Sequence, residues 1–154
     1  MNTLFVGDNA VLQTEQDGAN FVVMGANATV VSVGSDVLFA GTGHSTIYDT
    51  GIQAMDGGGY QGDTVVLGGG TATVLIGGTG SIVYGGSGTA DIFYSTTPGT
   101  LVTGSGDLNI IGNPTGQGIF FGGGIVSMTH DSSGTTVHTG LGATDHLFAS
   151  GPLT

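Results

Sequence analysis

The sequence predicts an all-β fold, a parallel β-solenoid of the β-roll kind, with about nine residues per strand-turn unit and two strands per coil. Three observations predict it. Short β-branched or aromatic segments recur at nearly constant spacing. Glycine clusters separate them. No stretch keeps the i, i+3, i+4, i+7 apolar spacing of an amphipathic helix. Residues 63–95, DTVVLGGGTATVLIGGTGSIVYGGSGTADIFYS, show all three together.

Taken in order, the apolar clusters centre on Val22, Val30, Leu38, Ile47, Val66, Leu75, Val83, Phe93, Val102, Ile110, Phe120, Val137 and Leu147. Successive centres lie about eight to ten residues apart, with two double steps. Met55–Asp56 and Met128 mark the positions expected for the missing units. Nine residues are too few for a strand and a helix. They hold one short strand and one tight turn, where glycine supplies the positive φ that such turns need. The segments VVL, VLI, IVY, IFY, LNII and IFF are β-branched and aromatic, as strands prefer. Units of this kind wind into a flattened coil of about eighteen residues. Each strand pairs in parallel with the strand one coil away, and two sheets face each other across a thin core. About eight coils, at roughly 4.8 Å each, make a rod some 40 Å tall. An antiparallel sandwich, with strands every 8–12 residues, is the alternative; glycine at every turn and the even spacing favour the solenoid. Residues 1–154 read as a single β-solenoid domain.

Composition narrows the function. Glycine supplies 33 of 154 residues, Lys and Arg are absent, and 11 acidic side chains with 4 His leave a formal charge of −11. Nucleic-acid binding needs Lys or Arg to displace phosphate counter-ions, so it is excluded. Docking on anionic lipid fails for the same reason. Without Cys there are no disulfides, thiolate metal sites or thiol nucleophiles. The start, MNTLFVGDNAVLQTEQD, has neither the basic region nor the apolar core of a secretory signal, and no segment has transmembrane length. Export, if it occurs, is expected by a route without a cleaved N-terminal signal.

Several segments carry a more specific pattern. AGTGHSTIY (40–48) reads as a nonapeptide GGxGxDxUx with Ala40 for the first Gly and Ser45 for the Asp. GGYQGDTVV (58–66) fits with Gln61 in place of a Gly, and GSDVLF (34–39) matches the second half. GGSGTADIFY (85–94) and GLGATDHLF (140–148) carry one extra residue, and GSGDLNII (104–111) is one short. The chain thus resembles a degenerate member of the RTX family, the hemolysin-type calcium-binding nonapeptide repeats. The resemblance implies a β-roll, type I secretion and folding outside the cell around calcium.

The strand count sets expectations for the carboxylates. It places Leu38, Leu75, Phe93, Ile110 and Leu147 on one sheet, preceded by Asp36, Thr73, Asp91, Asp107 and Asp145. The other sheet, with Val30, Ile47, Val66, Val83, Val102, Phe120 and Val137, is preceded by Thr29, Ser45, Asp63, Ser81, Thr100, Gln117 and Thr135. One edge is then acidic and the other mostly hydroxyl. Calcium takes six to eight oxygens, usually several of them carboxylate. The candidate ligands are Asp36, Asp63, Asp91, Asp107 and Asp145, with Asp91 and Asp107 set to share one ion. The alternative is a solvated turn Asp capping local N–H groups. No cofactor is required; calcium is the one candidate. His130, His138 and His146 recur every eight residues, with His130 and His146 expected one coil apart on the same side as a weaker metal motif. GGGYQG (57–62) matches a dinucleotide-loop pattern, but a chain this rich in glycine matches it by chance. With no G-x-S-x-G elbow and no base to stabilise an oxyanion, no enzyme is expected.

A solenoid has two open ends, each a row of unpaired strand groups. The first apolar segment, Thr3, Leu4, Phe5 and Val6, and the last, Leu147, Phe148 and Leu153, are the candidate assembly ends. Joining end to end is heterologous and does not close, so it builds a filament. The expected protein is structural: a self-assembling extracellular fibre, sheath or biofilm-matrix element. Its first partner is itself, with polysaccharide or a cell surface as further candidates. A calcium-binding RTX-like adhesion module is the alternative.

Overall fold

The computed structural model describes residues 1–15, 19–50, 52–53, 60–94, 99–112, 118–120, 123–130, 136–138 and 144–149. Its strands are β1 (Asn2–Val6), β2 (Val11–Gln13), β3 (Asn20–Met24), β4 (Thr29–Ser32), β5 (Val37–Phe39), β6 (His44–Asp49), β7 (Ile52–Gln53), β8 (Tyr60–Gln61) and β9 (Thr64–Val66). They continue as β10 (Thr71–Ile76), β11 (Ser81–Tyr84), β12 (Thr89–Tyr94), β13 (Gly99–Val102), β14 (Leu108–Gly112), β15 (Gly118–Phe120), β16 (Ile125–His130), β17 (Thr136–His138) and β18 (Thr144–Ala149). No helix occurs among the described residues.

The fold is a parallel β-solenoid with about 18 residues per coil, as the period predicts. Sheet A runs β1-β3-β5-β9-β11-β13-β15-β17, and sheet B runs β2-β4-β6-β10-β12-β14-β16-β18. Every neighbouring pair within them is parallel. Typical partners are Asn2 with Asn20, Thr71 with Thr89, and Ala90 with Leu108, each 18 positions on.

In-register stacking turns sequence period into columns. Val22, Leu38, Val65, Val83 and Leu101 form the inner column of sheet A, and Val30, Ile47, Val74, Ile92, Ile110 and Met128 that of sheet B. All eleven are fully buried. Burying one such side chain contributes about 1.5–3 kcal/mol, so these two columns hold the sheets together.

The corners explain the glycine. A Cβ on Gly88, Gly106 or Gly124 would stand 1.8, 1.7 or 1.9 Å from the carbonyl oxygen of the glycine one coil earlier. Backbone stacks on backbone there, and no side chain fits between. At the first two coils Asn takes the left-handed turn position instead, Asn9 at φ 59° and Asn27 at φ 55°, and Gly43 takes it next at φ 89°. Asn tolerates this region because its amide bonds locally. Asn27 Nδ2 donates to Asn9 Oδ1 at 3.3 Å, and the His44 N–H donates to Asn27 Oδ1 at 2.9 Å.

Two expectations are corrected here. No rung lies between Ile47 and Val66: β5 pairs directly with β9 and β6 with β10, while β7 and β8 pair antiparallel with each other as a separate hairpin. Met55–Asp56, expected to mark that rung, lie outside the described residues. The phase before the hairpin therefore reverses. Leu38 belongs with Val65 in sheet A, and Val30 and Ile47 belong with Val74 in sheet B. The second double step does hold a rung, β16, with Met128 buried at its centre.

Candidate functional site

The phase reversal rearranges the acidic residues. No single acidic edge forms. Asp36 and Asp63 meet at the corner where sheet A strands begin, Asp91 stands on the outer face of sheet B, Asp107 precedes β14, and Asp145 shares a register position with Val126. The expected calcium set is thus split over separate places: the hairpin, counted as a rung, moves Asp36 to the other sheet, and Asp91, Asp107 and Asp145 stand at different register positions of sheet B.

The corner is the densest polar site among the described residues. Asn20, Asp36, Asp63 and Ser81 stack in register at the entrance to sheet A. Thr14, Ser32 and Asp49 end the facing strands of sheet B. All seven are buried, with Asp36 and Asp63 each 1% exposed. Asp36 Oδ1 accepts from the Asn20 N–H at 2.7 Å and from Asn20 Nδ2 at 3.0 Å, and its Oδ2 accepts from Ser32 Oγ at 2.8 Å. The Asp36 N–H donates to Asp63 Oδ1 at 2.7 Å. Ser81 Oγ lies between Asp49 Oδ2 and the Gly78 carbonyl, with one proton to give.

Three carboxylates are buried here in a chain without Lys or Arg. Burial, helped by the charges of Asp49 and Asp36, pushes the Asp63 carboxyl up to about 8, against the Ser32 hydroxyl and the Asp36 amide, which lower it. Asp63 Oδ2 has no hydrogen-bond partner. Protonation removes one negative charge from the corner. A value near 8 favours the protonated form of Asp63 at neutral pH.

Asp91 and Asp107, expected to share an ion, do line one shallow groove of about 430 Å3 on sheet B, together with His44, Thr71, Thr89 and Asn109. Asp91 Oδ1 accepts from Asn109 Nδ2, and Asp107 Oδ1 from the Ile125 N–H, each at 3.1 Å. Among the described residues no group of three His, Asp or Glu side chains is placed to hold a metal ion. His146 pairs in register with Ser127, not with His130, and His138 lies in sheet A. This separates the three histidines.

The strand edges form the other site. β1 and β2 lie together at one end of the rod, β17 and β18 at the other, and among the described residues each has a partner strand on one side only. The Val6 carbonyl accepts from the Gly25 N–H at 2.7 Å. Alternate residues of a strand point their backbone groups the same way, so Leu4 and Val6 face β3 while Thr3 and Phe5 face the free edge. In β2 the Ala10 carbonyl accepts from Thr29 at 2.8 Å, and the Thr14 N–H donates to Val31 at 3.0 Å, leaving Val11 and Gln13 facing outward. Phe5 and Val11 are 80% and 74% exposed. Leu147 and Phe148 fall in β18, at the opposite edge; Leu153 lies outside the described residues.

Sequence reasoning missed Asn20, Ser32 and Asp49. The signal for Asn20 was present: once the hairpin is removed, Asn2, Asn20, Asp36, Asp63 and Ser81 each stand at the entrance to a sheet A strand. No protein-family model matches the chain, and no curated protein or solved structure matches it significantly.

Proposed function

We propose that this is a structural protein that self-assembles head to tail into an extracellular filament, a fibre, sheath or biofilm-matrix element. The observation that carries the reading is the pair of free edges. Both sheets run in the same order along the rod, so β1 and β2 of one copy can receive β17 and β18 of the next as further parallel rungs. The contact is heterologous and repeats without closing. It supplies partners for the outward backbone groups of Thr3, Phe5, Val11 and Gln13, and it covers Phe5 and Val11. Absence of Lys and Arg denies trypsin-like proteases a cleavage site, which suits material exposed outside a cell.

Electron microscopy of the purified protein tests the reading. Filaments whose axis lies perpendicular to the strands, with a repeat near 4.8 Å in fibre diffraction, are expected. Monodisperse monomers across a wide range of protein and calcium concentrations overturn it.

The groove shared by Asp91 and Asp107 favours a second reading, a calcium-binding RTX-like secreted adhesion module. Calorimetry with calcium and with chelator separates the two. Folding that strictly requires calcium supports the module; filaments indifferent to chelator support the structural role.

A further inference from the structure

Backbone hydrogen bonds along the rod follow one rule in both sheets. Residues two apart on a strand share a face and a bonding direction. In sheet A, Asp36 and Ala40 stand two positions either side of buried Leu38, and both reach forward to the next rung. The Asp36 carbonyl accepts from the Thr64 N–H, and the Ala40 N–H donates to the Val66 carbonyl, each at 2.9 Å. Leu67, two after buried Val65, reaches forward to Tyr84, and Gly85, two after buried Val83, reaches forward to Val102. Sheet B agrees. The Ala28 and Ser32 carbonyls, either side of buried Val30, accept from the Thr46 and Thr50 N–H groups at 3.0 Å. Positions of the core column thus turn their backbone groups toward the following coil, and the positions between them turn theirs toward the preceding one.

Carried along the registers, the rule makes the two ends of the rod complementary. Val137 holds the register position of Leu101, by way of Ile119, and Leu147 holds that of Met128. Both therefore direct their backbone groups off the far end. At the near end the outward groups belong to Thr3, Phe5, Val11 and Gln13, the intervening positions. This is the alternation that joins any two coils inside the rod.

We infer that copies join in a single register, Leu4 stacked on Val137 and Leu12 on Leu147, parallel like every rung within the two sheets. The Val137 N–H then donates to the Thr3 carbonyl, and the Phe5 N–H donates to the Val137 carbonyl. Leu147 serves Val11 and Gln13 in the same way. The inference rests on the head-to-tail reading and adds which residues meet. A slip of one residue sets Val137 between groups of Asn2, Leu4 or Val6, which turn toward β3, and it flips the core column outward. A slip of two keeps the alternation but stacks Leu12 on Asp145 or Ala149 and carries Leu4 past the 3 residues of β17. Both sheets must match at once, so each copy adds in one orientation and a growing filament has two distinct ends.

The chain has no Cys, so introduced thiols report the register alone. Val11 and His146 are both exposed, and the inferred register sets them directly opposite across the joint. Strands about 4.8 Å apart hold opposite Cα atoms within disulfide range, whereas a slip of two residues moves them to about 8 Å, beyond it. Filaments of Val11→Cys with His146→Cys, grown in reductant and then mildly oxidised, are expected to give a ladder of covalent multimers in denaturing gels. The yield is expected to exceed that of Val11→Cys with Thr144→Cys at least tenfold. Gln13→Cys with Phe148→Cys repeats the reading at a second position. In wild-type filaments mixed from separately labelled copies, solid-state NMR is expected to show a contact between Leu12 of one copy and Leu147 of another. Filaments in which the slipped pair links as readily as the matched pairs, or which lack the Leu12–Leu147 contact, overturn the register and leave the filament reading standing. A chain that yields no filaments overturns both.

Discussion

At the scale of single residues, the buried carboxylates set how stability follows pH. Asp63 has a native value near 8 against 3.8 for the free side chain, so the native state holds a proton that the unfolded chain releases. The contribution is complete below about pH 4 and declines as pH rises through about 8, at about 1.4 kcal/mol per pH unit. Denaturant titrations at pH 5, 7 and 9 are expected to show falling stability. Asp63→Asn, which stays neutral throughout, is expected to flatten that slope and to exceed the wild type at pH 9. A second residue offers an independent check. Ser45 Oγ is buried without a partner, and its register neighbours Ala72 and Ala90 need no hydroxyl. Ser45→Ala is therefore expected to raise stability by about 1 kcal/mol, read as a shift in denaturation midpoint at constant slope.

At the scale of elements, strands are held by what surrounds them, by the glycine corners inside the stack and by free backbone at its ends. Gly106→Ala brings a Cβ to within 1.7 Å of the Gly88 carbonyl, and the two coils must separate there. The expected cost is roughly 3 kcal/mol, measured by denaturant unfolding, with the flanking rungs loosened in hydrogen exchange. Thr3→Pro acts on the edge alone. It removes an outward N–H and leaves the bonds between β1 and β3 in place, so circular dichroism is expected to stay the same while filament growth stops. The element scale also shows what could be read beforehand. Period, parallel pairing and two strands per coil were legible because each coil stacks the same kind of residue at the same corner. Phase was not. Clusters such as Val65–Val66, Val74–Leu75, Ile92–Phe93 and Leu101–Val102 put two apolar residues side by side, and only one of each pair faces the core. Nothing local in sequence says which, since the outward residues Val66, Leu75, Phe93 and Val102 are apolar too. The polar corner stayed hidden for a related reason: Asp36 and Asp63 look like ordinary turn carboxylates until the hairpin is removed and their strands become neighbours.

At the scale of the whole molecule, charge opposes the contacts that build it. All 11 acidic residues share one rod with no cation among the side chains save His. Self-repulsion is screened by salt, so the melting temperature is expected to rise by several degrees between about 0.01 M and 0.5 M sodium chloride, with the apolar stack unchanged. A melting temperature that falls with salt would show that ion pairing, not repulsion, dominates. Assembly follows the same sign: filaments are expected to lengthen and associate as ionic strength rises. Stability in such an array is a sum over neighbouring rungs, so joining ends protects the two least supported coils first.

The hairpin of β7 and β8 carries a consequence of its own. Leu38 and Val65 are 27 positions apart, yet they stack as closely as neighbours 18 apart. The ladder closes over the surplus as though it were not there. Cargo can therefore be carried outboard at that junction without disturbing the frame, which makes residues between β6 and β9 the natural place to graft a foreign loop and, in the proposed filament, to display it at regular intervals.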